Sequence, residues 1–316
     1  MKVKYDSIIG DIHTSDGVLY PPKTLSLHLT DRCNSKCIFC GEDSHSSLTD
    51  TVQSKQLISF LDEHDPSEWT AVNIHGGEPT IRPDFINLLS YIRKSGYKTI
   101  ILQTNALMLG LKEFSRRVHE IGIDIYTVGF HAHESKLMDT LTRIPDSFDR
   151  IINGIRSIKK NDNYLRTTTV ACSGNYRHLT DICKKGIDEG VDHINISAMQ
   201  PGGSAFRELD NLLIGYDECR PYIEQAIEYA ITHDRKVTLE GFPLCAVPAY
   251  SRYYVDWSKQ RLNVLYREMR MSNFNEFLTV TTRIKSGPCT NCPCTEKCCG
   301  VYKDYVKKIG WKGIGI

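Results

Sequence analysis

Three cysteines lie within eight residues near the start of the chain, at Cys33, Cys37 and Cys40. They follow an apolar, alternating stretch at residues 24–30 that predicts a β-strand, so the three thiols share one short loop after that strand. Thiolates favour iron–sulfur clusters, zinc and cuprous copper. Such sites normally have four ligands, so three cysteines leave one coordination position for a ligand that the protein does not supply.

The CxxxCxxC arrangement, with the aromatic residue Phe39 before the last cysteine, resembles the signature of radical S-adenosylmethionine (SAM) enzymes. The resemblance implies that the three cysteines hold a four-iron four-sulfur cluster whose open iron binds the amino and carboxylate groups of SAM. An electron, supplied by a partner such as flavodoxin or ferredoxin, then cleaves SAM to a 5′-deoxyadenosyl radical that abstracts hydrogen from substrate. Two other interpretations are a zinc knuckle that lacks one ligand and an accidental cluster of cysteines.

A second motif follows the strand predicted at residues 71–74, where Gly76 and Gly77 precede Glu78. Two glycines let the backbone pass close to a ligand, and Glu78 offers a carboxylate to a cation. The segment resembles the GGE motif of the same family, which implies that it takes the amino group of SAM. Taken alone, such a tetrapeptide is more often a plain turn.

Later strand ends carry further candidates for SAM binding. The resemblance implies contacts with SAM or substrate at Thr104, Asn105, His131, Asn175 and Met199, and more weakly at His133. Thr104 and Asn105 could equally cap a helix, and Met199 could be ordinary core. His131 and His133 occupy alternate positions of an extended segment and could share a zinc ion, but no third ligand is evident nearby in the sequence.

A second group of cysteines lies towards the C-terminus. Cys245, Cys289, Cys292 and Cys298 supply four thiolates, the number that a second four-iron cluster or a zinc ion needs. Their arrangement resembles the auxiliary-cluster extension, of SPASM or twitch type, of radical SAM maturases. The resemblance assigns no ligand role to Cys294 or Cys299, although either could replace one of the four ligands. A second cluster could carry an electron, anchor the substrate or only hold the extension together.

Hydrophobic periodicity predicts six strand–helix units between residues 24 and 214. The strands are expected at 24–30, 71–74, 98–105, 123–130, 164–172 and 193–199, and the first helices at 47–64, 85–95, 111–120, 146–160 and 179–189. Strict alternation predicts an α/β fold with a parallel sheet and outer helices. Six units, together with the family's motifs, imply a partial (β/α)6 TIM-like barrel, with the candidate residues at the C-terminal ends of its strands.

Three segments are expected along the chain. Residues 1–23 form a lead-in with one hairpin, residues 24–214 the barrel, and residues 215–316 a small cysteine-rich C-terminal extension. The extension is expected to begin with a helix at 215–234 and a strand at 236–239. The lead-in is too short for a leader-recognition domain, which counts against a peptide substrate.

The composition excludes several classes of protein. Thirty-nine basic and 38 acidic residues give a net charge of +1, which predicts no binding to nucleic acid or to an anionic membrane. No apolar run approaches the roughly 20 residues of a membrane span, and the N-terminus has no apolar signal-peptide core. Twelve cysteines, mostly in two groups, predict metal binding in a reducing compartment, the cytoplasm, rather than disulfides.

Three functions are consistent with these features. The favoured hypothesis is a maturase that modifies a ribosomally synthesised peptide by epimerisation or cross-link formation, because auxiliary-cluster extensions are common in such enzymes. Epimerisation needs a cysteine that returns a hydrogen atom, and Cys219 and Cys172 are the candidates, although Cys172 is most simply a buried apolar residue. The alternatives are a radical enzyme acting on a small sugar, nucleoside or amino acid, and a zinc-binding scaffold without enzymatic activity.

Overall fold

The computed structural model describes residues 21, 23–49, 52–255 and 260–314. The hairpin expected within residues 1–20 lies outside the described residues.

Nine strands form one continuous sheet. They are β1 (Lys23–His28), β2 (Ala71–His75), β3 (Thr99–Thr104), β4 (Ile125–Gly129), β5 (Tyr164–Ala171), β6 (His193–Ala198), β7 (Lys236–Glu240), β8 (Arg261–Tyr266) and β9 (Met269–Met271). Their order is β7-β6-β5-β4-β3-β2-β1-β8-β9. All pairs from β7 to β8 are parallel, and β8 and β9 form an antiparallel hairpin. A separate antiparallel pair joins β10 (Arg283–Ile284) to β11 (Val301–Tyr302).

Helices follow the strands in the expected alternation. They are α1 (Ser54–Asp62), α2 (Phe85–Lys94), α3 (Lys112–Ile121), α4 (Ser135–Thr142), α5 (Ser147–Lys160), α6 (Leu179–Asp188), α7 (Gly203–Arg207), α8 (Leu209–Leu212), α9 (Tyr216–Thr232), α10 (Phe274–Thr282) and α11 (Lys303–Lys308). Helix α1 begins seven residues later than the sequence predicts, at Ser54 rather than Ser47. The Gln56 side chain accepts the Gln53 N–H (2.8 Å) and so fixes the start of the helix there.

The open α/β barrel that the sequence predicts is confirmed, and the sheet is wider than six strands. The expected strand at 236–239 is β7, which pairs in parallel with β6. The sequence did not predict β8, which pairs in parallel with β1 at the other side of the barrel. Both strands come from the segment assigned to the C-terminal extension, so this segment contributes to the sheet at both sides of the barrel.

Side chains on the two faces of the sheet differ in polarity. One face is apolar, as at Leu25 and Leu27 of β1, and packs into a core shared with the outer helices. The other face carries polar side chains that hydrogen bond between neighbouring strands. Asn73 donates to Ser26 (3.0 Å), and Gln103 donates to Asn73 (3.0 Å). The inner face therefore offers polar groups directly below the C-terminal ends of the strands.

Candidate active site

The loop that carries Cys33, Cys37 and Cys40, called here the cysteine loop, is fixed by the end of α4. The Lys36 N–H donates to the Thr142 carbonyl (3.0 Å) and the Ile38 N–H to the Leu141 carbonyl (3.0 Å). Carbonyls in the last turn of a helix have no partner within the helix, so they are free to accept these hydrogen bonds. The structure thus holds the middle of the loop through its backbone and leaves the cysteine side chains free to bind metal.

The thiols of this loop share one environment. Burial, and next the charge of Glu78, raises the pKa of Cys33 to about 12. Burial, and next the charges of Cys33 and Cys40, raises the pKa of Cys37 above its usual range. Buried thiolates that repel one another need a bound cation to remain ionised. The donor set therefore fits an iron–sulfur cluster.

Glu78 is fully buried, and its carboxylate has four hydrogen-bond donors. Thr80 donates its N–H (3.1 Å) and its hydroxyl to Oε1, and Thr104 donates its hydroxyl (2.7 Å) to the same oxygen. The Asn105 N–H donates to Oε2 (2.6 Å). Burial raises the pKa of Glu78, and these hydrogen bonds oppose that shift. A buried anion with oriented donors is prepared to receive a cationic group.

Gly76 and Gly77 bring the Glu78 segment against the start of the cysteine loop. A Cβ at Gly77 would lie 2.1 Å from the Arg32 carbonyl oxygen, and one at Gly76, where φ is +142°, would lie 2.6 Å from the Thr30 oxygen. The Glu78 N–H donates to the Arg32 carbonyl (2.8 Å). The sequence predicted close approach to a ligand, whereas these glycines permit close approach of two backbone segments.

Asn105 connects the third strand to the cysteine loop. Its Nδ2 donates to Asn34 Oδ1 (2.7 Å) and lies 3.9 Å from Cys33 Sγ. Its backbone N–H is the donor to Glu78 described above. The Thr104–Asn105 pair therefore fixes the carboxylate and the first cysteine relative to each other.

His131 lies against the aromatic residue of the cysteine loop. Its ring centroid is 4.4 Å from that of Phe39, and both residues are buried. Burial lowers the pKa of His131 to about 3, so the imidazole is neutral. Its Nδ1 accepts the Val170 N–H (3.2 Å), which assigns the proton to Nε2.

Asn175 is buried, and its amide is occupied by backbone groups. Oδ1 accepts the Cys172 N–H (2.9 Å), and Nδ2 donates to the carbonyls of His131 and Val170 (both 3.0 Å). The sequence predicted a contact with SAM, whereas these hydrogen bonds join the ends of β4 and β5. Asn175 thus positions His131.

Met199, Cys172 and Cys219 are all buried. Met199 and Cys219 line a cavity of about 10 Å³, and the contact of Met199 with adenine stays a prediction. Burial raises the pKa of Cys172 to about 11 and that of Cys219 beyond its usual range. Both thiols are therefore protonated, and their role as hydrogen-atom donors stays a prediction.

Two contacts of the cysteine loop were not predicted. After β6, a Cβ at Gly203 would lie 2.4 Å from the Asp43 nitrogen, so this glycine packs directly on the segment after Cys40. Asp43 also binds Arg207 (2.7 Å), and the hydrogen bonds from Arg207 and Ser204 lower the pKa of its carboxyl to about 2. The Pro-Gly-Gly sequence after the strand was the available signal for this contact.

The β8–β9 hairpin makes the second contact. Tyr266 donates its hydroxyl to Glu42 (2.5 Å), and the Arg267 guanidinium donates to Asp31 (3.1 Å). Asp31 and Glu42 flank the cysteine loop on its two sides. The hairpin therefore holds both ends of the loop, through a strand that the sequence analysis missed.

Residues 27–182 match the family model of the radical SAM superfamily. Residues 27–182 therefore form a domain of the radical SAM superfamily. The match begins in β1 and ends in α6, and it includes the cysteine loop, the Glu78 segment and His131. The radical SAM signature predicted from the cysteine spacing is confirmed.

Curated relatives of the chain carry the name "Probable GTP 3′,8-cyclase". The protein from Sulfurisphaera tokodaii is 28% identical over 183 residues, which cover 57% of this chain and 56% of the relative. One from Saccharolobus islandicus is 26% identical over 209 residues, 65% of this chain and 66% of the relative. The chain thus spans between about half and two thirds of the length of the curated relatives it matches.

Two solved structures illustrate proteins that share the fold of this chain. Streptococcus suis SuiB bound to the precursor peptide SuiA superposes with a TM-score of 0.67 at 17% identity, over 97% of this chain and 76% of that one. The protein anSMEcpe, with bound AdoMet and the Kp18Cys peptide, has a TM-score of 0.64 at 14% identity, over 93% and 96%. Among the described residues, no helix combines the length and apolar character needed to span a membrane.

Beyond the radical SAM domain, the structure brings four C-terminal cysteines together. We call Cys245, Cys289, Cys292 and Cys298 the auxiliary thiol group. Burial, followed by the charges of the other three thiols, raises the pKa of Cys245 to about 11. Burial, and then the charges of Cys298 and Cys292, raises the pKa of Cys289. These mutual interactions show that the predicted ligands are neighbours.

Cys298 differs from the other thiols of this group. A hydrogen bond from the neighbouring Cys299 thiol lowers its pKa to about 6, and burial opposes this shift. The N–H groups of Leu244 and Gly300 also point at its Sγ (both 3.4 Å). Such donors stabilise a metal-bound thiolate. Cys294 is exposed, and its backbone carbonyl accepts the Cys298 N–H (2.9 Å).

A cavity of about 100 Å³ lies at the C-terminal ends of β6 and β7. Its walls include Glu240 at the end of β7, Arg283, Cys299 and Tyr302. The Arg283 guanidinium lies 4.0 Å above the Tyr302 ring and donates to Cys299 Sγ (3.1 Å). The cavity therefore presents a carboxylate and a guanidinium beside the Cys299 thiol.

Proposed function

We propose that this radical SAM enzyme modifies a ribosomally synthesised peptide and carries a second iron–sulfur cluster on the auxiliary thiol group. The observation that carries the proposal is the cavity at the ends of β6 and β7, which Cys299 lines. Cys299 directly follows Cys298, one of the proposed ligands. A substrate group in the cavity would thus contact Cys299, the residue next in sequence to a proposed ligand of the second cluster.

The first cluster would be held by Cys33, Cys37 and Cys40, with Glu78 facing the amino group of SAM. When bound, the cluster and SAM supply a 5′-deoxyadenosyl radical that abstracts a hydrogen atom from the substrate. Asn105 holds the cysteine loop and the Glu78 carboxylate in one arrangement through Asn34 and Oε2. Flavodoxin or ferredoxin is the proposed electron donor.

Cys298 is the thiol best prepared to bind metal in the auxiliary group. The hydrogen bond from the Cys299 thiol lowers its pKa, which favours the thiolate form that binds a cation. The N–H groups of Leu244 and Gly300 would remain directed at the sulfur after metal binding. Hydrogen bonds to a ligand sulfur adjust the reduction potential of an iron–sulfur cluster. Such adjustment is useful for a cluster that accepts or donates an electron.

Helix α10 supports a peptide as substrate. Leu278 and Thr279 line the cavity, while Phe277 and Val280 are 51% and 69% exposed. Exposed large apolar side chains beside a cavity are typical of a surface that binds a partner chain. The structural similarity to SuiB, solved with its precursor peptide, extends over 97% of this chain. One side chain of a bound peptide would fill the cavity.

A nucleotide is the second candidate, because the curated relatives are named as GTP 3′,8-cyclases. Arg283 is the cavity's cation and could pair with phosphate. Two features favour the peptide. The cavity of about 100 Å³ is smaller than the roughly 300 Å³ at which small-molecule sites begin. The Glu240 carboxylate would also repel a phosphate placed beside Arg283.

The cluster content is the first test. Two four-iron clusters per chain are expected from the number of cysteine ligands. Anaerobic reconstitution should therefore give about seven to eight iron atoms and as many sulfides per chain. Cys292→Ala should retain about four of each and still release some 5′-deoxyadenosine with reductant and SAM, whereas Cys37→Ala should release none. Four irons in the wild type, unchanged by Cys292→Ala, would contradict the second cluster.

The substrate is tested separately. The reduced enzyme is incubated with SAM and either peptides encoded by small reading frames beside the gene or GTP, and the products are analysed by mass spectrometry. We expect a mass change or deuterium incorporation in a peptide and none in GTP. Conversion of GTP with unchanged peptides would overturn the peptide assignment and favour the nucleotide.

A further inference from the structure

Two consecutive strand–helix units bring three potential metal ligands together at the rim of the barrel. His133 lies in the loop between β4 and α4, His178 ends the short turn before α6, and Asp181 lies in the first turn of α6. One ligand atom from each side chain lies within 4.8 Å of those of the other two. The two imidazole ring centroids are 4.9 Å apart, with 31° between the ring planes.

The polar atoms of this cluster are poorly satisfied by the protein. Nδ1 of His133 is buried and forms no hydrogen bond with any residue in the described part of the chain. The closest approach of His178 Nδ1 to Asp181 Oδ2 is 3.8 Å, which is too long for a hydrogen bond. A buried nitrogen without a partner is unfavourable, and a bound cation would remove that penalty.

We propose that His133, His178 and Asp181 bind a zinc ion. Two imidazoles and one carboxylate form a donor set that suits zinc, and they leave a fourth position for water. Ligands on one tetrahedral zinc lie about 3.4 Å apart, as expected for bonds of about 2.1 Å. The ligand atoms, which now lie within 4.8 Å of one another, must therefore approach by up to about 1.4 Å. His178 and Asp181 are exposed, so they are free to rotate.

The zinc would join the two loops that follow β4 and β5. The same loops carry His131 and Asn175, which are already connected by the hydrogen bond from Asn175 to the His131 carbonyl. His133 is two residues from His131, and His178 is three from Asn175. The ion would therefore hold these two loops together at the rim of the barrel. One of the loops carries His131, whose side chain lies against the cysteine loop. This site does not depend on the identity of the substrate.

The test is isothermal titration calorimetry, in which zinc chloride is titrated into the cluster-loaded protein under anaerobic conditions. Loading with iron first occupies the cysteines that would otherwise capture zinc. His178→Ala and Asp181→Asn change exposed side chains and should leave the fold intact. His233→Ala, an exposed histidine on a different helix end, is the matched control. Cys294→Ser removes the exposed spare thiol.

We expect one zinc ion per chain in the wild type, His233→Ala and Cys294→Ser proteins. The affinity should fall at least about tenfold in His178→Ala and Asp181→Asn, because each loses a direct ligand. The proposal is overturned if the wild type binds no stoichiometric zinc, if His178→Ala binds as tightly as wild type, or if binding is lost in Cys294→Ser instead. Each result leaves the assignment of the radical SAM site untouched.

Discussion

The carboxylate of Glu78 depends on neighbouring side chains for the solvation that water would otherwise provide. It is fully buried next to thiols whose charges have the same sign, and burial raises its pKa. The hydroxyl of Thr104 is one of its four donors. A hydrogen bond to a charged group contributes about 1.5–3 kcal/mol, so each donor matters for keeping this carboxylate ionised.

Thr104→Val should weaken SAM binding, whereas Thr104→Ser should not. Valine keeps the shape of threonine but removes the hydroxyl, and loss of about 1.5–3 kcal/mol corresponds to a rise in the dissociation constant of roughly 10- to 100-fold. Serine keeps the hydroxyl. Binding is measured by equilibrium dialysis with SAM, and the iron content of each variant serves as the control. Equal SAM affinity in both variants would show that Glu78 does not take the amino group.

For single residues, the sequence predicts which side chains belong to the site better than it predicts which other side chains they contact. The cysteines and Glu78 were identified because their spacing is itself the signal. The hydrogen bond from Asn105 to Asn34 joins positions 71 residues apart, and His178 and Asp181 lie more than 40 residues after His133. Contacts of this kind depend on which strand ends become neighbours, so the two side chains that we propose as ligands beside His133 could not be identified from the sequence.

Among the elements, the loop after β6 shows how a short segment can hold a metal-binding loop in place. Gly203 has φ of +48°, and the position of its missing Cβ lies 2.8 Å from the Cys40 carbonyl oxygen. The Ala205 N–H donates to that same oxygen (3.2 Å). The contact requires a residue without a side chain, because the obstructing atoms belong to the backbone and cannot rotate away.

Gly203→Ala should therefore reduce the iron bound by the first cluster site. The matched control is Gly96→Ala, which also has a positive φ (+91°) but has no atom within 4 Å of the added Cβ. Both variants carry the cost of about 1–2 kcal/mol for left-handed backbone, and only Gly203→Ala adds a collision. Iron per chain is measured after reconstitution, in a Cys292→Ala background to isolate the first site. Equal iron in the two variants would contradict this role of Gly203.

Local patterns predicted the elements whose partners are close in sequence. Strands β1 to β6 and helices α2, α3, α5 and α6 begin and end within about two residues of their expected positions, because their apolar periodicity is regular. Strand β8 was missed, and its partner β1 lies more than 230 residues earlier in the chain. Its pairing is determined by the exposed edge of β1, which no local pattern reveals.

Over the whole molecule, buried histidines make stability depend on pH. Burial lowers the pKa of His75 and of His131 to about 3, and burial together with the charge of Arg166 lowers that of His193 well below its usual range. Above pH 6.5 or so, each is neutral in both the folded and the unfolded chain. Below it, the unfolded chain binds protons that the folded chain does not, so stability falls as pH decreases towards about 3.

His193→Gln should make this acid dependence shallower. Removing one such group should reduce the slope of unfolding free energy against pH by up to about 1.4 kcal/mol per unit below pH 6.5. Urea unfolding of wild type, His193→Gln and the exposed-site control His233→Gln is compared from pH 7 to pH 5. Acid loss of iron is common to all three and cancels in the comparison. A slope unchanged in His193→Gln would mean that His193 is protonated in the folded protein.

The path of the chain between Cys245 and Cys289 has a mechanical consequence. Cys245 follows β7 at one side of the sheet, β8 pairs with β1 at the other side, and Cys289 follows β8 in the chain. The Cys245 and Cys289 thiols nevertheless belong to the same group. A metal bound by both thiols would therefore join the two ends of the segment that carries β8.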